Sequence, residues 1–219
     1  MNRPPPPDAP HLTARELACR RGTRKLFHGL ELDVAPGQIV WIRGRNGRGK
    51  TSLLRLAAGL APPEHGELLR EGVPVRRSDT HERELVYIGH ANALKEDLSA
   101  AEALSFLLRV HGRPHARDTV EAALERLGIA SRRNALVRTL SQGQRRRIAL
   151  ARLAVDVAMP APSLWLLDEP YDALDTDGVQ ALDAIFTEHL GRGGSLMLTS
   201  HLPVSRALAP AEVDLDAYV

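Results

Sequence analysis

"GRNGRGKT", residues 44–51, is the stretch from which the fold can be read. It fits G-x-x-x-x-G-K-[ST] and follows a short apolar run, "QIVWIRG" (38–44), that reads as a buried parallel strand. Leu53, Leu54, Leu56 and Leu60 come next at helical spacing, and Pro62-Pro63 are expected to stop that helix. Strand, glycine loop and helix in this order make a cradle for phosphate groups. Glycines let successive backbone N–H groups close on the oxygens, and the helix N-terminus adds partial positive charge. Lys50 is placed to reach the terminal phosphates and Thr51 to hold Mg2+. Gly44, Arg45, Asn46, Gly47, Arg48, Gly49, Lys50, Thr51 and Ser52 are therefore the candidate nucleotide-binding residues.

Downstream, "SLWLLDEP" (163–170) is an apolar strand ending in two acids. Asp168 can aim a carboxylate at the cation, and Glu169 is set to polarise an attacking water. Leu140-Ser141-Gln142-Gly143-Gln144 lies between the two, with Ser141 as the expected N-cap of the next helix.

The rest of the chain supplies the frame. "HLTARELACR" (11–20) and "LFHGLELDV" (26–34) alternate as strands, and Cys19 reads as a small buried residue in the first. "GELLREG" (66–72) and "ELVYIG" (84–89) are two short strands. From Leu98 the pattern turns helical: Ser99 with Glu102 forms a capping box, "DTVEAALERLG" (118–128) is a second helix, and the helix after Ser141 a third. A parallel α/β core then resumes with "SLWLLD", a helix over about 179–190, "SLMLTS" (195–200) and a last strand near Glu212 to Tyr218. The expected organisation is a disordered Pro-rich tail over 1–10 and one domain over 11–219. Its core is 11–88 and 160–219, and its helical insertion is 89–159.

Charge narrows the partners. The 29 basic and 27 acidic residues nearly cancel at +2, which gives no footprint for nucleic acid. A lone cysteine excludes an intramolecular disulfide, and no run reaches the 18 apolar residues of a membrane span. His111 and His115 bracket a Gly-Arg-Pro turn and read as solvated loop histidines.

In combination the motifs resemble the ATP-binding cassette (ABC) family from about Leu12 onward. That resemblance implies a P-loop, RecA-like parallel-sheet core with an antiparallel β edge and an inserted helical subdomain. It implies ATP and Mg2+ as ligands, with Thr51 and Asp168 at the metal. Lys50, Glu169 and His201 would be catalytic, Glu169 as general base and His201 as the switch histidine. Ser141, Gly143 and Gln144 would form a signature motif that binds ATP held by a second copy in a head-to-tail homodimer. "DALD" (172–175) would be the loop between the two sites.

Two positions depart from the family. The glutamine usual after the strand ending near Ile88 is missing, since glutamine occurs only at 38, 142, 144 and 180; His90 occupies the slot, and Asn92 is the other candidate to stand in. The aromatic that commonly stacks on adenine is also missing; Arg21 can take its place, and Phe27 is the nearest aromatic.

"YIGHANALKEDLSAAEAL" (87–104) is similar to the corresponding segment of the CcmA-type haem-exporter ATP-binding subunits of cytochrome c maturation. That likeness implies an ATPase at the cytoplasmic face of the bacterial inner membrane, held there by a CcmB-type permease. CcmC-, CcmD- and CcmE-type partners would follow, and ATP hydrolysis would release the haem-loaded chaperone. The alternatives at this stage are the ATPase of another small exporter, of drug or lipid type, and a nucleotide-dependent clamp of low turnover.

Overall fold

Apolar residues at alternate positions give the first two strands, β1 (Leu12–Arg21) and β2 (Arg24–Val34), paired antiparallel across a turn at Gly22. The computed structural model describes residues 10–75, 85–161 and 163–219, so most of the expected N-terminal tail lies outside them. Strand β3 (Ile39–Arg43) runs into the glycine loop and helix α1 (Lys50–Ala57). The helix stops before the two prolines. Gly59, at φ 71°, closes it, with Gly59 N–H donating to Leu56 O and Leu60 N–H to Arg55 O. That is the Schellman pattern, and it leaves Leu60 outside the helix and 56% exposed.

After α1 come β4 (His65–Arg70) and β5 (Val73–Pro74), the latter too short to show in the sequence. The four strands form an antiparallel sheet in the order β2-β1-β4-β5. A bulge interrupts β1 at Glu16, whose φ is 48°. Gly66 of β4 crosses that bulge so closely that a Cβ there would stand 2.3 Å from Glu16 O. Gly66→Ala should therefore cost about 2–3 kcal/mol of stability. A lower urea midpoint at unchanged slope would register it.

The second sheet is parallel. Strand β6 (Leu85–Ile88) leads into helices α2 (Ala100–Val110), α3 (Arg117–Arg126) and α4 (Gln142–Asp156), then β7 (Leu164–Asp168), α5 (Thr176–Gly191), β8 (Ser195–Thr199) and β9 (Ala211–Asp214). Its order is β6-β7-β8-β3-β9. Every residue of β7 and β8 is buried, because both faces of the sheet are covered. Leu164, Leu166 and Met197 meet α1 and the antiparallel sheet on one face. Trp165, Leu167, Leu196 and Leu198 meet the helices on the other.

The end of the chain corrects one expectation. The last strand stops at Asp214, whose side chain accepts from Asp216 N–H, and residues 215–218 turn as a short 3₁₀ helix. Both predicted capping residues cap: Ser99 and Glu102 exchange bonds at α2, as do Ser141 and Gln144 at α4. Helix α5 starts three residues earlier than its apolar pattern suggests, because Asp175 accepts from Gly178 N–H and caps it. The helical block is anchored to the core through Asp156, which pairs with Arg113 and accepts from the indole N–H of Trp165 at 2.7 Å. His115 is a loop residue, its ring 3.0 Å from Arg113 O, and Cys19 is a buried free thiol. No helix among the described residues is long and apolar enough to cross a membrane.

Candidate functional site

Parallel pairing brings the carboxyl ends of β3, β6, β7 and β8 to one edge, where an α/β sheet binds its ligand. A cleft of about 680 Å³ opens there. It gathers Asn46, Gly47, Gly49, Lys50, Thr51 and Ser52 from the loop and α1, Asp168 from the end of β7, Glu169 just after it, and His201 from beyond β8. Arg21 and His90 line it as well.

The loop keeps its shape through three glycines with positive φ: Gly44 at 134°, Gly47 at 76° and Gly49 at 102°. A Cβ on Gly49 would press on Leu26 at 3.1 Å and Phe27 at 3.2 Å. Phe27 thus supports the loop from beneath, fully buried, and is no platform for a base. Lys50 is nearly buried and its ammonium donates to Gly44 O at 2.6 Å, which keeps the charge inside the ring of the loop.

Arg45 and Arg48 turn their side chains away from the cleft toward Asp216 in the C-terminal turn. That carboxylate also accepts from Arg45 N–H at 3.0 Å, and the Arg48 bond holds it below the usual carboxylate range. Gly44 packs against Leu215 of the same turn.

At the end of β7 oxygen atoms converge. Asp168, 3% exposed, accepts from Thr51 Oγ1 at 2.9 Å and from Thr199 Oγ1 at 2.8 Å. This hydroxyl–carboxylate set beside Lys50 suits a hard cation such as Mg2+. Among the described residues no three His, Cys, Asp or Glu side chains are grouped so as to hold a metal ion by themselves. Mg2+ would therefore draw much of its shell from phosphate and water, as that ion prefers.

Glu169 stands one residue on with φ 48°, a conformation rare for a residue with a side chain. Its N–H donates to Thr199 Oγ1 at 3.0 Å, and its carboxylate accepts from His201 N–H at 2.9 Å, with His201 Nε2 3.4 Å away. His201 is otherwise open to solvent, its side chain 61% exposed.

The two candidates for the missing glutamine's place have different surroundings. His90 faces the cleft, whereas Asn92 is bonded through Oδ1 to Arg146. Ser141, Gly143 and Gln144 lie outside this cleft, at the N-terminus of α4. Gln144 Oε1 accepts from Ser141 N–H, so it caps its own helix. A Cβ on Gly143 would stand 2.4 Å from Ala173 O, so the glycine is required by the 172–175 turn of this same chain.

Four residues of the site escaped the sequence reading. Thr199 holds both acids, Arg24 reaches within 3.6 Å of the Cβ position of Gly47, Asp216 holds the loop arginines, and Arg146 supports the end of β7. Only Arg146 carried a signal: at α4 spacing it falls on the apolar face with Ala149, Leu150 and Leu153. Thr199→Val keeps the volume and removes both bonds. It should lower ATP turnover about tenfold with nucleotide affinity nearly unchanged, as steady-state phosphate release and titration with a fluorescent ATP analogue would measure.

Phosphate loop, adjacent acid pair and flanking histidine on one parallel sheet define an ATP-binding cassette, and residues 27–172 match the family model described as ABC transporter. The chain belongs to that family of ATPases. Within it the chain is similar to proteins named "Cytochrome c biogenesis ATP-binding export protein CcmA". The one from Aromatoleum aromaticum is 44% identical over 207 residues, 94% of this chain and 95% of its own length. The one from Albidiferax ferrireducens is 41% identical over 205 residues, 93% and 96% of the two chains. Among solved structures, a putative ABC transporter ATP-binding protein from Pyrococcus furiosus superposes with a TM-score of 0.79 over 94% of this chain and 98% of that one. At 22% identity this likeness speaks to the fold alone.

Proposed function

We propose that this chain is the ATP-hydrolysing subunit of a haem-export-type transporter in cytochrome c biogenesis. The observation that carries the reading is identity above 40% to the CcmA proteins across nearly the whole chain, joined to Lys50, Thr51, Asp168 and Glu169 in one cleft.

In this reading the loop amides and Lys50 hold the β- and γ-phosphates, and Thr51 and Asp168 hold Mg2+. The ion supplies charge neutralisation on the phosphate oxygens when bound. Glu169 takes a proton from the attacking water, and His201 stands by the γ-phosphate. What supports these two roles is the Glu169 carboxylate bonded to the His201 backbone at the mouth of the cleft. His90 contacts the same water, and Arg21, with Arg24 beside it, stacks on adenine; both arginines line the cleft.

Ser141, Gly143 and Gln144 would meet the ATP of an opposing copy. Their place at the α4 N-terminus, outside the chain's own cleft and with Ser141 exposed, supports a head-to-tail homodimer. ATP then clamps two copies and hydrolysis releases them, driving a partner by unequal binding to its two shapes. Residues 11–88 and 160–219 would act as the core and 89–159 as the helical subdomain. The latter would receive a CcmB-type membrane subunit at the inner membrane's cytoplasmic face, with CcmC-, CcmD- and CcmE-type proteins completing the system.

The test is a haem stain for c-type cytochromes in cells whose only copy is wild type, Lys50→Ala or Glu169→Gln. Stained cytochromes with the wild type, and none with either variant, are expected. Normal staining in cells lacking the gene would refute the haem-export assignment.

A further inference from the structure

Arg146 joins three segments that are far apart in sequence. Its guanidinium is 3% exposed and leaves α4 on the side facing the sheet. Nη2 donates to Asp168 O at 2.7 Å and to Glu169 O at 2.8 Å. Nη1 donates to Gly89 O at 3.0 Å and to Asn92 Oδ1 at 3.2 Å. The fork is thus spent on the end of β7 with one nitrogen and on the loop after β6 with the other, while the buried Nε has no bond.

The bonds to β7 fall on the backbone of the two acids, not on their carboxylates. Glu169 is in the left-handed region at φ 48°, and such a conformation persists only where its surroundings over-determine it. Here the Glu169 N–H is held by Thr199, and its C=O by Arg146 and by Asp172 N–H at 3.1 Å. Five residues before Arg146, Ser141 caps the same helix. Any tilt of α4 therefore pulls on the peptide that aims the Glu169 carboxylate.

We propose that Arg146 is a positioning residue, a strap that sets the Glu169 peptide and the 89–92 loop by the position of α4. The purpose of that coupling, timing hydrolysis to movement of the helical block, rests on the role given to Glu169 above. The strap itself rests on the four bonds. Lysine cannot replace it, because one ammonium cannot span two pairs of acceptors as a planar fork does.

Hydrogen–deuterium exchange on the full-length chain tests this, with peptides from α5 and β8 as internal references. In Arg146→Lys, exchange over 88–94 and 168–173 should quicken at least tenfold while α5 and β8 stay as in wild type. ATP affinity should change less than threefold and kcat should fall at least tenfold. Asn92→Ala, which removes only one bond at the edge, should quicken 88–94 and also 168–173, a segment to which Asn92 is linked through Arg146. It should add nothing to Arg146→Lys.

Unchanged exchange over 88–94 in Arg146→Lys, or a rise spread evenly over all peptides, overturns the proposal. Should Arg146→Lys fail to fold, Asn92→Ala decides alone: quickened exchange over 168–173 supports the strap and unchanged exchange there overturns it. A Glu169→Gln variant that turned over ATP like wild type would remove the hydrolytic role of Glu169 and leave the exchange result standing.

Discussion

Glu169→Gln should bind ATP as the wild type does and hydrolyse it at least about a hundredfold more slowly. In the role proposed for Glu169, a positioned general base contributes about 10²–10⁴ in rate, and glutamine cannot accept the proton. The substitution is nearly isosteric, so Oε1 of the amide can still accept from His201 N–H where the carboxylate did. The backbone of residue 169 stays fixed by Thr199 and Arg146, whose bonds involve no atom of its side chain. Geometry is thus retained while the chemistry is removed. Phosphate release measures the rate, and light scattering with ATP present should show the proposed homodimer accumulating. Equal rates in variant and wild type would leave the protein a nucleotide-dependent clamp.

Lys50→Ala should act at the earlier step. The ammonium lies within the glycine loop, donating to Gly44 O at 2.6 Å, and bound phosphate would compete for it at little cost in reach. A charge-assisted bond in so buried a place contributes about 2–3 kcal/mol, which corresponds to roughly 30- to 150-fold in affinity. Calorimetric titration with ATP should show that loss. Thermal stability should move little, because the loop's shape depends on its glycines and on Asp216 more than on this lysine. A variant that binds ATP normally but fails to hydrolyse it would shift the role of Lys50 from binding to catalysis.

Much of this site could be read from the chain because its key groups are adjacent to strong local signals. The glycine loop has its spacing, and Asp168 and Glu169 close an apolar run. Ser99 and Ser141 each stand three residues before the partner that completes a capping box. Residues that act across the fold carried no such mark. Thr199 ends a strand like many threonines, and only the pairing of β7 with β8 brings its hydroxyl to both acids. Asp216 is 171 positions from Arg45 along the chain. The helix end after Ala57 was misjudged for a local reason: Gly59 had already stopped the helix, so Pro62-Pro63 had none left to break.

The order of strands bears on how the protein is made. Strand β3, which launches the phosphate loop, pairs with β8 on one side and β9 on the other, and the loop leans on residues 215 and 216. A nascent chain has β3 in hand early but lacks both neighbours until β8 (Ser195–Thr199) and β9 (Ala211–Asp214) have been added. Such distant pairings are slow to form and expose apolar strands meanwhile. Nucleotide can therefore assist folding only once β8 and β9 have been made, because before that the phosphate loop lacks both flanking strands.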